Sequence, residues 1–141
     1  MSNYTATART NYFRVKDRAA FSDWVDSVRY QELSILVHAD PQLVGLNATN
    51  GDCSGFQIDW QDDDGAEHNL LAELAQHLAE GAVAVLVEAG SEKCRYVTGF
   101  AIAVKADPAA EGGFKTLKIS LGDIYRRVQS EWGCAASQAI Y

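Results

Sequence analysis

The chain has 141 residues, of which 48% are apolar, and a formal net charge of −7. That length suits one domain able to bury about two-thirds of its unfolded surface, and that apolar content argues against disorder. No apolar run approaches the roughly 20 residues of a membrane span, and the acidic balance argues against ordinary nucleic-acid binding, which needs a basic footprint.

The charge is unevenly placed. No Lys or Arg occurs between Arg29 and Lys93, while residues 30–92 carry twelve Asp and Glu, so that segment is −12. The remainder holds all twelve Lys and Arg and seven acids, which makes it +5. A field this lopsided points to a basic protein surface as partner, with no direct nucleic acid and no membrane.

Residues 1–9 are polar, lack the apolar core of a signal peptide, and read as a flexible arm. Phe13 and Val15 then alternate with Arg14 and Lys16, the pattern of a strand. Asp17 is placed to cap a helix over 18–29, in which Phe21, Trp24, Val25 and Val28 recur at helical spacing. Leu33, Ile35 and Val37 set one face of the next strand, which Asp40-Pro41 ends. Shorter strands are expected at 42–48 and 54–60, with a turn at Asn50-Gly51 between them.

The stretch 58–69, "IDWQDDDGAEHN", has five carboxylates and no cation. Apolar alternation stops at Trp60, so this is the end of a strand plus a loop whose carboxylates are expected to project into water. Leu70 or Leu71, with Leu74 and Leu78, makes the apolar stripe of a second helix over 69–80, closed by Gly81.

Segments 82–88 and 94–105 read as a hairpin. The first arm is apolar on both faces and belongs at the sheet centre. The second has a bulky face (Cys94, Tyr96, Phe100, Ile102, Val104) and a small face (Gly99, Ala101, Ala103), and the small face is where helices are expected. A last strand should turn Leu117, Ile119 and Leu121 inward, and Asp123 should cap a short helix carrying Ile124, Val128 and Trp132. Trp24, Leu74, Val85 and Phe100 are expected in the core. Residues 133–141 form a C-terminal tail. The order and short connections imply an α+β fold: a single domain over 10–132, with a mostly antiparallel sheet flanked by two to three helices.

Chemical motifs are sparse. Setting Gly65 at position 6 of a calcium-binding EF-hand loop places Asp62 and Asp64 at ligand positions, but puts Trp60 and Leu71 where the first and last carboxylates belong. Adjacent aspartates in a polar loop lack the low-dielectric pocket that makes a general acid. His38 is placed at a strand edge, His68 in the loop and His77 on the solvent side of the second helix, none with a metal-ligand partner one turn away. Cys53, Cys94 and Cys134, about 40 residues apart, are neither a disulfide framework nor a zinc knuckle, which fits a reducing cytoplasm. Nucleophile elbows, phosphate loops and dinucleotide fingerprints are absent. No catalytic residue, metal or cofactor is therefore expected. The candidate partner-binding residues are Asp59, Asp62, Asp63, Asp64 and Glu67, with Glu73 and Glu80 along the following helix.

"TARTNYFRVKD" (residues 7–17) and "HLAEGAVAVLVEAGSEKCRYVTGFAIAV" (residues 77–104) resemble a group of small proteins of phages, plasmids and integrative elements. The group shares an N-Y-F-x-V-K-D start and an E-K-x-R-Y-x-x-G hairpin. The resemblance covers about 40 residues, excludes the acidic loop, and brings no catalytic residues with it. It implies a mobile-element setting, in which inhibitors of host defence are common.

The leading expectation is a non-enzymatic, anti-defence (anti-CRISPR-like) binding protein. It would block a basic nucleic-acid-handling protein, such as a CRISPR or restriction component. The alternatives are a small enzyme with a pocket near the Tyr96/Phe100 strand, and an accessory protein that associates with itself as a homodimer. A convex acidic face favours the first, a deep pocket with paired His, Cys or Asp the second, and a large apolar patch the third.

Overall fold

The computed structural model describes residues 4–48, 55–92 and 96–137. Seven strands form one antiparallel sheet. Its order is β2 (Phe13–Arg14), β4 (Leu43–Asn47), β1 (Tyr4–Thr10), β7 (Ala84–Glu92), β8 (Tyr96–Ala106) and β9 (Phe114–Ser120), and β3 (Ser34–Val37) also pairs with β4. β5 (Asp59–Gln61) and β6 (Glu67–Asn69) make a separate two-stranded ribbon. The helices are α1 (Arg18–Ser27), α2 (Leu70–His77) and α3 (Asp123–Trp132). The α+β class with a mostly antiparallel sheet is as expected. Among the described residues, no helix is long and apolar enough to cross a membrane.

The segment read as an arm is the first difference. From Tyr4 onward it is β1, lying between β4 and β7 and in register from Tyr4 opposite Glu92 to Thr10 opposite Leu86. Its buried residues are small: Ala6 and Ala8 face the core between exposed Thr5, Thr7 and Arg9. Gly90 makes that close pairing feasible, because a Cβ there would lie 2.3 Å from the Thr5 carbonyl oxygen and 2.7 Å from Ala6 Cβ. Where β1 gives way to β2, side chains replace the ladder. Thr10 Oγ1 accepts from Leu46 N (2.8 Å), and Asn11 Oδ1 accepts from Val85 N (2.8 Å).

Asp17 caps α1 by accepting from the amides of Ala19 and Ala20, and Asn69 caps α2 by accepting from Ala72 N. Both helices are shorter than their sequence patterns suggest. α2 stops at His77 because Leu78 is already extended and bridges to Val15. Phe21 and Val25 of α1 and Leu70 and Leu74 of α2 pack with Phe13, Val44, Leu46, Ala84, Leu86 and Val104. Segment 55–58, expected as strand, is instead an irregular lead-in held by Glu88, a carboxylate only 6% exposed that accepts from Phe56 N (2.7 Å) and Tyr4 Oη (2.8 Å). The Asn50-Gly51 turn and Cys94 lie outside the described residues.

The second difference concerns faces. The helices cover the bulky side of β8, where Ile102 and Val104 are buried, and leave its small side open. On the open side Ala101 and Ala103 register with Val87 and Val85 of β7 and with Ile119 and Leu117 of β9. Leu117 is therefore 79% exposed and Ile119 67% exposed, and Leu121 also faces solvent, opposite to the inward placement expected. No residue of α3 is buried. Of the four expected core residues only Leu74 is fully enclosed. Trp24 is half-buried against the core, Val85 lies on the open face, and Phe100 sits beneath the Lys118 ammonium, 5.3 Å from the ring centroid. Val37 is exposed, whereas Leu33 and Ile35 pack inward.

Leu74→Ala should lower the unfolding free energy by about 2–5 kcal/mol in urea denaturation, because a fully enclosed leucine is removed. Gly90→Ala should destabilise as well, by forcing β1 away from β7. An unchanged midpoint for either variant would contradict this packing.

Candidate functional site: the acidic hairpin

The carboxylate-rich loop is a folded hairpin. Trp60 stands opposite His68 across β5 and β6, and the turn between them closes by Asp62 N to Ala66 O (2.9 Å) and Gly65 N to Asp62 O (3.0 Å). Gly65 holds φ +83°, a conformation suited to glycine. Asp62 Oδ1 accepts from the amides of Asp64 and Ala66, both at 2.9 Å. Asp62 therefore builds the turn from inside, as aspartates often do.

His68 ties this turn to α2. Its Nε2 lies 2.9 Å from Asp62 Oδ2 and its Nδ1 lies 3.0 Å from Glu73 Oε2. Both nitrogens face carboxylates, so the ring binds best as an imidazolium donating twice. The hydrogen bond to Asp62, then that to Glu73, raises the His68 pKa above its ordinary value. The bond to His68, followed by the Ala66 amide, lowers that of Asp62. The imidazole lies flat on Trp60, with centroids 5.2 Å apart and planes 6° apart. Glu73 Oε1 accepts from Trp24 Nε1 (3.0 Å), which carries the chain of contacts to α1.

A second set of bonds fixes the hairpin to the segment after α1. Gln31 and Gln57 exchange hydrogen bonds, Gln31 Nε2 to Gln57 O (2.7 Å) and Gln57 N to Gln31 Oε1 (2.9 Å). Tyr30 donates its hydroxyl to Asp63, which pushes the phenol pKa up to about 12. Between the hairpin and the end of α1 lies a hollow of about 520 Å³, lined by Val28, Tyr30, Trp60, Asp63, His68 and Glu73 among others.

The seven candidate carboxylates thus divide. Asp62 and Glu73 do not project freely: both are partly buried and bonded to His68. Asp59, Asp63, Asp64 and Glu67 are exposed on the hairpin, Asp59 accepting from Asn69 Nδ2 (2.9 Å). Glu80 is apart from them. It lies beyond the end of α2, beside a different hollow lined by Tyr12, Phe13 and Arg14. Among the described residues no Lys or Arg forms an ion pair with any of these seven.

With both nitrogens engaged, His68 offers neither a free base for catalysis nor a lone pair for a metal. His77 is not on a solvent face as expected: it stacks on Trp24 at 5.2 Å, and burial, followed by the nearby Lys16 charge, lowers its pKa. Trp24, Tyr30 and His68 are the site residues that sequence reasoning missed. The available signal was the placement of His68 beside the Asn69 cap, five residues before Glu73. No family model, curated protein or solved structure matches the chain.

A pKa raised on folding means that the folded chain holds the His68 proton more tightly. The clamp's contribution is complete below the ordinary value of 6.5 and fades as pH rises through the higher folded value. The stability lost in His68→Gln should therefore be largest on the acid side of 6.5 and shrink in alkali, as read by denaturation at a series of pH values. A pH-independent difference would contradict the clamp. Asp62→Ala should lower the denaturation midpoint, whereas Asp64→Ala should leave it nearly unchanged.

Proposed function

We propose that the chain is a non-enzymatic acidic binding protein that blocks a basic, nucleic-acid-handling protein. The observation that carries this reading is the set of acids left exposed on the hairpin and its turn. Asp59, Asp63, Asp64 and Glu67 are exposed on a braced scaffold, with no Lys or Arg paired to them among the described residues. Such a row offers phosphate-like charge to a groove built for a polyanion. It also steers encounter at long range. Because the hairpin is already fixed to α1 and α2, little ordering is needed on docking. The resemblance to mobile-element proteins favours a bacterial cytoplasmic defence protein, such as a CRISPR or restriction component, as the target.

The enzyme reading has less support. The hollow at the Phe100 strand is lined mainly by apolar and small residues, and the nearby Glu88 turns its carboxylate to the other, covered face, where it is bonded to Tyr4 and Phe56.

Affinity capture from the natural host, at low and high salt, identifies the partner. Association kinetics then compare the chain with a triple variant, Asp63→Asn, Asp64→Asn and Glu67→Gln, which leaves Asp62 and its turn in place. The variant should fold normally, since exposed changes usually shift stability by less than about 0.5 kcal/mol. Its association should be slower by about tenfold at low salt, and added salt should slow the unmodified chain in the same way. Equal rates at low salt would contradict the proposal.

A further inference from the structure

The hollow between the β5–β6 hairpin and the end of α1 is a cavity with unlike walls. Its volume of about 520 Å³ falls within the roughly 300–1,000 Å³ of ligand sites. Val28 and Trp60, each 8% exposed, give it an apolar floor. His68 covers one face of the Trp60 indole, so the accessible aromatic wall is Tyr30, which is 42% exposed. That ring is held in place, because its hydroxyl donates to Asp63.

The rest of the lining is mostly acid. Asp62 and Glu73 are partly buried and both serve His68. Asp63 and Asp64 differ from them. Asp63 accepts from Tyr30 through Oδ1, and among the described residues its Oδ2 and the Asp64 carboxylate accept no hydrogen bond. These oxygens are open acceptors beside an aromatic ring. Four carboxylates line the hollow against two cations, Arg29 and the His68 imidazolium. Arg29 is exposed and forms no ion pair among the described residues. The negative field registers on Tyr30: the bond to Asp63 is the largest cause of its raised pKa, and desolvation and then the charges of Asp63, Asp62 and Asp64 add to it.

We propose that this hollow anchors an arginine side chain of the partner, with the guanidinium laid on the Tyr30 ring and donating to Asp63 and Asp64. The proposal rests on the reading that the hairpin docks on a basic protein, and it names where the tightest contact falls. A guanidinium suits the cavity better than an ammonium. It is flat and stacks on an aromatic face, and its fork of donors matches neighbouring carboxylates. It is also more weakly hydrated, so entering a partly desolvated hollow costs it less. Arginine and tyrosine are residue types in which interface energy concentrates. The exposed acids then govern the association rate and the hollow the dissociation rate.

The test uses hexaarginine and hexalysine, two peptides of equal charge, read by calorimetry and by NMR amide shifts. Hexaarginine should bind at least about fivefold more tightly than hexalysine, and should shift Tyr30, Asp63 and Asp64 most. Tyr30→Ala should bring hexaarginine down to the hexalysine level, while Tyr30→Phe, which keeps the ring, should retain most of the preference. Arg29→Ala removes a competing cation and should tighten hexaarginine by about twofold. Circular dichroism checks that each variant is folded. Equal binding of the two peptides, or an arginine preference untouched by Tyr30→Ala, would overturn the anchor site and leave the steering role of the exposed acids standing. Hexaarginine shifts confined to Asp59 and Glu67, with no response to Arg29→Ala, would overturn it without recourse to Tyr30→Ala. Failure of both peptides to bind would overturn the docking reading as well.

Discussion

Among the described residues, α1 and α2 cover one face of the seven-stranded sheet and leave the other face open. α1 and α2 have ten and eight residues, and together with the Phe56–Trp60 segment they enclose Ala84, Leu86 and Val104. That one-sided arrangement gives the protomer two unlike surfaces. One carries the helices and, fastened to them, the acidic hairpin. The other is the open apolar face of β7, β8 and β9, on which Val87, Leu117 and Ile119 are exposed. Glu88 links the layers. It is a carboxylate on the covered face of a central strand, and it holds both the start of β1 at Tyr4 and the lead-in to the hairpin at Phe56.

The hairpin's electrostatics follow from a division of labour among its acids. Carboxylates in a cluster repel one another, and a loop of five with no cation of its own would be expected to splay. Here His68 supplies the missing positive charge from within, bridging Asp62 and Glu73 while its ring is supported by Trp60. Two acids are thereby turned into structure, with one of their two charges balanced by the imidazolium. The remaining acids stay outside, on a surface whose shape is set before any partner arrives. A field anchored this way is more useful for recognition than the same charge on a mobile tail, because docking requires less ordering.

Much of the fold was legible in the residues. Asp17 and Asn69 mark helix starts because each has a side-chain oxygen within reach of free amides. The two-sided apolarity of 82–88 placed that arm at the centre, where β7 lies between β1 and β8. β1 was hidden because Ala6 and Ala8 bury little apolar area and the intervening threonines are polar. Its signal was the β-branched alternation, together with Gly90 far along the chain. The facing of β9 was misread for a different reason. Period-two alternation says which residues share a face but not which face is covered, and that depends on how far α1 and α2 extend. The acidic residues of the site were visible as a charge run. The clamp was not, since His68 meets Glu73 only once the hairpin has folded onto α2.

The central claim is that the acidic loop is a clamped, preformed surface rather than a solvated run of charge. The most direct measurement is an NMR titration of the individual histidine rings across neutral pH. His68, held by Asp62 and Glu73, should titrate above 6.5, and His77, half-buried against Trp24, should titrate below it. A His68 that titrates at or below 6.5 would mean that the imidazolium bridge is not formed in solution, and the hairpin would then have no claim to be a shaped docking surface.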